Sequence, residues 1–406
     1  MTALPISAYP PHNHLRLAVD LTGTGATRVG GTPAAPGQPQ VKAFDVRVLL
    51  EQVQLAQRAS FDFVALGDSF SLAPSASNAL LGQVDAALIA ARIAPVLQGI
   101  GLIPAVNTTH TEPFHVSKLV ATLDHVSGGF GGWEPTVSVT GAEARLFGRK
   151  SAQTPASAWA EAEEVADVVA KLWDSWEDDA EIRDVANHRF IDRDKLHYVD
   201  YEGVHFSVKG PSITPRPPQG HPVTVISIPS ASEDPRVRDQ VIEIASQRAD
   251  VVRLNAASLT EAIALRAALK HRAAVLGRNP KELLVYINLH VVVGQDEDSA
   301  QVRRDLLGSA DELPLTFTGT PAQLGQLGAQ WLAAGAADGL VLIPGSLSTD
   351  LRVITEQTVP LWAAQELLRP GYRGATLREN LGLPRPANQF ALANIAHSST
   401  AQTANA

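Results

Sequence analysis

The chain has 406 residues, 45% of them hydrophobic and 18% charged, enough apolar material for a large core and too much for a mainly disordered chain. Lys and Arg number 33 against 42 Asp and Glu, a formal charge of −9 with no basic patch, which argues against a dedicated nucleic-acid binder. There is no cysteine and one methionine, so disulfides, thiolate nucleophiles, Cys-ligated zinc and Fe–S clusters are excluded.

The opening segment to His14 is Pro-rich and uncharged and lacks the basic start and apolar run of a signal peptide. No apolar stretch reaches membrane-spanning length, so a cytoplasmic protein without membrane contact is expected. Short apolar runs then recur at Leu15–Leu21, Phe61–Gly67, Gly99–Val106, Gly129–Trp133, Val223–Ile228, Val251–Leu254, Leu283–Val293 and Gly339–Ile343. Helical periodicity is expected near 47–58, 79–94, 113–126, 157–176, 235–248, 258–276, 296–307, 320–335 and 349–368. Strand–helix alternation implies parallel pairing, and eight such units predict an α/β fold of the (β/α)8 TIM-barrel type. An open doubly wound sheet is the rival.

Two stretches exceed a minimal barrel. Residues 22–45 carry five glycines and three prolines after the first strand. Residues 177–221 form an insertion before the fifth strand. Loops of this length in a compact domain are usually functional or carry small structure of their own. The expected organisation is one domain over 1–390 and a disordered tail over 391–406. In the helix near 157–176, Trp159, Ala162, Val165, Val169, Leu172 and Trp173 form an apolar stripe. Glu161, Glu163, Glu164 and Asp167 are expected on a solvated face.

A barrel places its active site at the C-terminal ends of its strands. Those ends carry Asp68 and Ser69, Asn107 to His110, Trp133 and Glu134, Ser227 to Ser230, Asn288 and His290, and Ser346. This polar, weakly charged lining suits a planar polar ligand better than a divalent metal. Glu134 is a candidate acid or base, with a polar rim residue as the plainer alternative. His290 is a candidate catalytic group or a satisfied core histidine. Other templates do less well. Arg28 stands where a third glycine of a dinucleotide fingerprint would fall, and there is no P-loop or nucleophile elbow. His12 and His14 lack a third metal ligand, and no metal site is expected.

The run Glu112-Pro113-Phe114-His115-Val116-Ser117-Lys118-Leu119-Val120-Ala121-Thr122-Leu123-Asp124-His125-Val126-Ser127-Gly128-Gly129, continuing to Trp133, resembles the third helix and fourth strand of the bacterial luciferase-like flavin monooxygenases. More narrowly the chain resembles the nitrilotriacetate, dibenzothiophene-sulfone and pristinamycin synthase monooxygenase group. Further support lies in 61–68, 171–180, 203–211, 217–223 and 372–383, all in the family's order. The resemblance implies a TIM barrel, a homodimer or tetramer, and reduced FMN supplied by a separate reductase. It also implies insertion of one oxygen atom from O2 into a small organic substrate. The family's flavin contacts fall on Asp68, Thr109 with Thr108 and Asn107 beside it, Ser138 and Ser230. Trp133 and Trp159 are candidates to stack on the ring, Ser227 to assist Ser230 at the phosphate, and Glu134 and His290 to stand near the substrate.

The chain departs from that family at Phe130, where an arginine is usual, and at Glu134, where an asparagine is usual. The phosphate loop reads Ile226-Ser227-Ile228-Pro229-Ser230, with Pro229 removing an N–H and Ile228 replacing a glycine that allows close backbone approach. Pro155 and Trp159 stand at the family's two phosphate-directed side chains. These departures leave two alternatives to a monooxygenase open: a deazaflavin-dependent or reductive oxidoreductase, and a non-redox binding partner that has lost FMN.

Overall fold

The fold is taken from a computed structural model of the chain, in which residues 14–22, 45–70, 84–230, 233–307 and 315–391 are described. The first half comprises β1 (Arg16–Asp20), α1 (Val46–Arg58), β2 (Phe63–Leu66), α2 (Ala86–Ile93), β3 (Gly101–Asn107), α3 (Pro113–Ser127), β4 (Gly132–Thr136), α4 (Gly141–Phe147) and α5 (Pro155–Asp174). Two small antiparallel hairpins follow, β5 (Glu181–Asp184) with β6 (Arg189–Ile191) and β7 (Tyr201–Glu202) with β8 (Ser207–Val208). The second half comprises β9 (Val223–Ile228), α6 (Pro235–Arg248), β10 (Val251–Leu254), α7 (Leu259–Val275), β11 (Leu284–Val293), α8 (Glu297–Leu307), β12 (Thr316–Gly319), α9 (Pro321–Ala333) and β13 (Gly339–Pro344). It ends with α10 (Asp350–Val353), a π-helical stretch 354–358, α11 (Val359–Ala364) and α12 (Leu377–Leu381).

Eight parallel strands close on themselves in the order β1-β2-β3-β4-β9-β10-β11-β13, with β13 pairing back onto β1. This is the (β/α)8 barrel expected from the alternation. The short β12 lies outside the ring and pairs in parallel with the end of β11, from His290 to Val293. Most barrel helices begin where the sequence supplies a cap. Asp45, Asp85, Thr154, Asp234 and Ser258 each accept a first-turn N–H with the side chain. α3 ends at Gly128, whose φ of 68° places it in the left-handed region that glycine enters without a Cβ penalty.

Strand pleating divides the core in two. Val19, Val64, Leu102, Ile226, Val252, Ile287 and Leu340 face outward and join the apolar stripes of the helices. Ala18, Phe63, Ile103, Val225, Val251, Leu284, Tyr286 and Val341 face inward and fill the lower barrel, with Leu377 and Leu381 of α12 packed against them. Asp62 sits with this plug. It accepts from Tyr286 Oη at 3.0 Å and pairs with Arg369 at 2.9 Å.

The insertion before the fifth barrel strand is held by side chains from α5. Glu164 accepts from the backbone of Val204 and His205 and from the His205 ring. Asp167 pairs with Lys171 and Arg248. Glu161 is only 3% exposed and pairs with Lys150. The solvated face expected for these carboxylates is therefore corrected: three of them are anchors, because elements outside the helical stripe fold back over that side of α5. The segment 22–45 lies almost wholly outside the described residues, as does the tail after 391.

Candidate active site

The inward-facing residues become polar one layer above the plug. Arg253 of β10 stands at the centre. Its Nη1 donates to Glu134 Oε2 of β4 at 2.9 Å, Nη2 to Asp20 Oδ2 of β1 at 2.5 Å, and Nε to Asn288 Oδ1 of β11 at 3.1 Å. Ser227 Oγ of β9 donates to the other Glu134 oxygen at 2.5 Å. Asn288 donates on to Asn255 at 2.9 Å, and Asn255 to the Ile228 carbonyl at 3.0 Å. Five of the eight barrel strands are thus tied through one guanidinium and its partners.

Burial works against the Arg253 cation, but Glu134 and Asp20 outweigh it and hold its pKa above the ordinary guanidinium value. Burial alone would raise Asp20; Arg253 and Thr22 bring it below its usual range. His290 lies above this layer on the same inward side. Burial, with Arg253 adding to it and Asp20 opposing, pushes it down to about 4, so its imidazole is neutral at pH 7.

Accessibility rises up the barrel. Phe63, Tyr286 and Val251 are fully buried, whereas Asp20, Glu134, Arg253 and Asn288 are 6–9% exposed and Asn107, Asn255 and His290 are half-buried. Among the described residues, exposure of the inward-facing side chains therefore rises from the apolar plug towards the C-terminal ends of the strands.

A second constellation forms the rim at β3 and β4. Asn107 Nδ2 donates to Ser138 Oγ at 2.8 Å, and the Ser138 backbone N–H donates to Thr109 Oγ1 at 3.0 Å. Thr108 is buried, with both its N–H and its hydroxyl on the Thr136 carbonyl. Lys150 Nζ donates to the Thr109 carbonyl at 2.9 Å while pairing with Glu161. A cavity of about 260 Å³ lies beside this knot, lined among others by Thr109, His110, Phe147, Lys150 and His205. Just past the neighbouring strand β2, Asp68 accepts from the Ala86 and Ser69 N–H groups, and burial raises its pKa.

The structure thus brings together Glu134, His290 and Ser227 inside the barrel and Thr108, Thr109 and Ser138 at its rim. The reading of Trp133 requires correction. Trp133 precedes Glu134 on β4, and adjacent strand residues face opposite sides. Its ring is 1% exposed, donates to Thr224 Oγ1 at 3.1 Å and meets Trp173 edge to face, so it has no free face for a planar ligand. Trp159 is half-buried against the main helix–strand core. Ser227, expected near a phosphate, has its hydroxyl on Glu134, and the Ser230 N–H donates to Glu233 at 3.1 Å.

Sequence reasoning missed Arg253 and Asp20. The signal was present: a lone arginine inside Val251-Val252-Arg253-Leu254 and an aspartate closing Leu17-Ala18-Val19-Asp20. A charge within a buried strand needs a partner, and these two supply part of each other's.

Comparison with known proteins decides the family. The luciferase-like monooxygenase family profile matches residues 26–354. The chain belongs to the luciferase-like monooxygenase family. It is 30% identical to nitrilotriacetate monooxygenase component A of Aminobacter aminovorans, over 89% of this chain and 95% of that one. It is 27% identical to N-acetyl-S-(2-succino)cysteine monooxygenase of Bacillus subtilis, over 93% and 98%. Among solved structures, a riboflavin lyase determined with modified FMN and riboflavin superposes with a TM-score of 0.79 at 20% identity, covering 92% of this chain and 97% of the other. This family member is a flavin-dependent monooxygenase, and the deazaflavin and non-redox alternatives are not favoured. Among the described residues no helix is long and apolar enough to cross a membrane, and no three His, Asp or Glu side chains are arranged to hold a metal ion.

Proposed function

We propose that the chain is the oxygenating component of a two-component system, using reduced FMN from a separate flavin reductase and O2 to oxygenate a small organic substrate. Residues 1–390 act as one unit in this reading, 391–406 are a tail, and the enzyme works in the cytoplasm as a homodimer or tetramer. The observation that carries it is the Asn107–Thr109–Ser138 knot beside a polar interior layer centred on Arg253. The donor set there fits a flavin ring. The hydroxyls of Thr109 and Ser138 have donor capacity left, and Asp68 supplies carboxylate oxygens just past the neighbouring strand β2.

A bound flavin would supply the activation of O2 and the transfer of one oxygen atom. The chain's own contribution is positional. Thr109 and Ser138 fix each other through a hydrogen bond, so neither must be ordered on binding. Arg253 holds the Glu134 and Asp20 carboxylates at the floor in one geometry. The neutral His290 presents a ring that can donate one hydrogen bond and accept another at the substrate level without adding charge. Two carboxylates against one guanidinium make this floor better suited to neutral or cationic substrate groups than to carboxylates.

The test is anaerobic titration with reduced FMN, followed by fluorescence or calorimetry. Saturable binding in the range of about 1–100 μM is expected; none up to about 1 mM would overturn the reading.

A further inference from the structure

The cavity of about 260 Å³ beside the Thr109–Ser138 knot is not used by the flavin reading. Its lining comes from the start of α3, the end of α4, α5 and the turn 203–206 of the insertion, and not from a barrel strand. The volume falls below the range of about 300–1,000 Å³ that holds a drug-sized ligand, so it suits one substituted ring rather than a flavin. On one side the His110 imidazole stacks on Phe147, with centroids 4.6 Å and planes 10° apart, and Phe70 meets Phe147 edge to face at 4.7 Å. Burial, with Lys150 adding to it, lowers the His110 pKa, so the imidazole is neutral at pH 7 and the stack carries no charge. On the other side Phe206 packs on the cluster of Val120, Val165 and Trp173 and lies 5.6 Å from the Tyr201 ring.

Both walls are held in place. The Gly203 N–H donates to the Phe206 carbonyl at 3.0 Å, and Glu164 accepts from the Val204 and His205 N–H groups and from His205 Nδ1. A ring entering between them gains aromatic contact at little ordering cost. The polar groups are equally defined. Lys150 Nζ carries three N–H groups and has two acceptors in place, the Thr109 carbonyl and Glu161, which leaves one for a ligand oxygen. Glu164 keeps the His205 proton on Nδ1, so Nε2 of the neutral ring is an acceptor. The lining charges cancel in pairs, Lys150 with Glu161 and Arg149 with Glu112 at 2.8 Å. A neutral ligand leaves these pairs intact, whereas a charged one must compete with a partner already present.

We propose that this cavity is a substrate subsite for a neutral, single-ring aromatic group bearing a carbonyl or hydroxyl oxygen, held between Phe147 and Phe206 with its oxygen on Lys150. As a substrate subsite it rests on the flavin reading above and narrows the small organic substrate to an aromatic one. Thr109 connects the two places: its carbonyl accepts from Lys150 at the cavity, and its hydroxyl accepts from the Ser138 N–H at the rim.

The experiment is calorimetric titration of the full chain, without flavin, with benzamide and with its saturated counterpart cyclohexanecarboxamide. Benzamide is expected to bind with a Kd of about 0.1–3 mM, and the saturated amide roughly fivefold more weakly. Phe147→Leu and Phe206→Leu keep apolar bulk but remove a ring. Each is expected to weaken benzamide roughly threefold and to leave the affinity for oxidised FMN unchanged. Phe147 is 37% exposed at the end of α4, so that variant keeps the fold, which thermal unfolding checks. Benzamide added to the complex with oxidised FMN should shift the visible bands of the flavin without displacing it. Equal affinity for the two amides, no saturable benzamide binding up to about 10 mM, or full benzamide affinity in both variants would overturn the proposal. So would displacement of FMN, or an unchanged flavin spectrum. Benzamide binding in a protein that takes up no flavin would instead defeat the flavin reading and leave the aromatic site standing, so the two failures are distinguishable.

Discussion

Arg253 carries more of the site than any other side chain. It occupies a strand position where every neighbour in sequence is apolar, and it is stabilised by two carboxylates from strands far away in the chain. Removing the cation leaves Asp20 and Glu134 facing each other without a counter-charge. Arg253→Met is expected to destabilise the fold by about 3–5 kcal/mol, measured by urea unfolding. Adding Asp20→Asn and Glu134→Gln to that variant should recover most of the loss, because the cost lies in the orphaned charges rather than in lost packing. A triple variant no more stable than the single one would show that Arg253 acts through shape instead. Glu134 was legible from the sequence because it ends a strand beside a mouth. Its partner was not, because the pairing spans 119 residues and depends on barrel closure.

At the scale of elements, the eight barrel strands and their crossover helices could be read from apolar runs and helical stripes. Val223–Ile228, Val251–Leu254 and α6 have the bounds expected. Periodicity failed where the segment is short or half-exposed. β12 is four residues of Thr-Phe-Thr-Gly, and the β5–β8 hairpins expose most of their side chains. α4 is seven residues, below the length at which a stripe shows, and is closed at its start by a Thr140–Glu143 capping box. The carboxylates of α5 were misjudged for a different reason: a helical wheel shows which face is polar but not what later folds over it. Lys150, between α4 and α5, illustrates the consequence. It joins the Thr109 carbonyl to the buried Glu161, which otherwise keeps only Gln153 at 2.8 Å. Lys150→Met is expected to cost about 1–2 kcal/mol, less than a fully buried pair because the lysine is partly exposed. It should also weaken flavin binding severalfold as the rim loosens. Unchanged flavin affinity in a destabilised variant would confine Lys150 to a purely structural role.

Across the whole molecule, the ion pairs of the barrel determine how it responds to acid. Asp338, just before β13, is fully buried against Arg266 at 2.6 Å and Lys270 at 3.0 Å and accepts from the Val285 N–H. Burial opposes its charge, but the two cations outweigh it and bring it to about 2. A carboxyl lowered from 3.8 stabilises the fold fully above pH 3.8, and that contribution is lost as pH falls through 2. The shift corresponds to roughly 2 kcal/mol. His290 acts in a different window. Its pKa is lowered from 6.5 to about 4, so the unfolded chain takes up the proton first and stability declines between those values on acidification. Asp62, Asp124 and Asp350 run the other way. Burial raises each of them, so they favour the fold as pH falls towards 3.8 and offset His290. The expected profile is shallow from pH 6.5 to 4 and steep below 3.8. Asp338→Asn should therefore be less stable than the wild type at pH 7, because Arg266 and Lys270 lose their counter-charge, and should lose less stability between pH 4 and 2. Urea midpoints across that range test both halves. Equal acid slopes in the two proteins would place the acid-sensitive contact elsewhere, with Asp178, held at about 2 by Arg385 and Arg216, as the remaining strongly lowered carboxylate among the described residues.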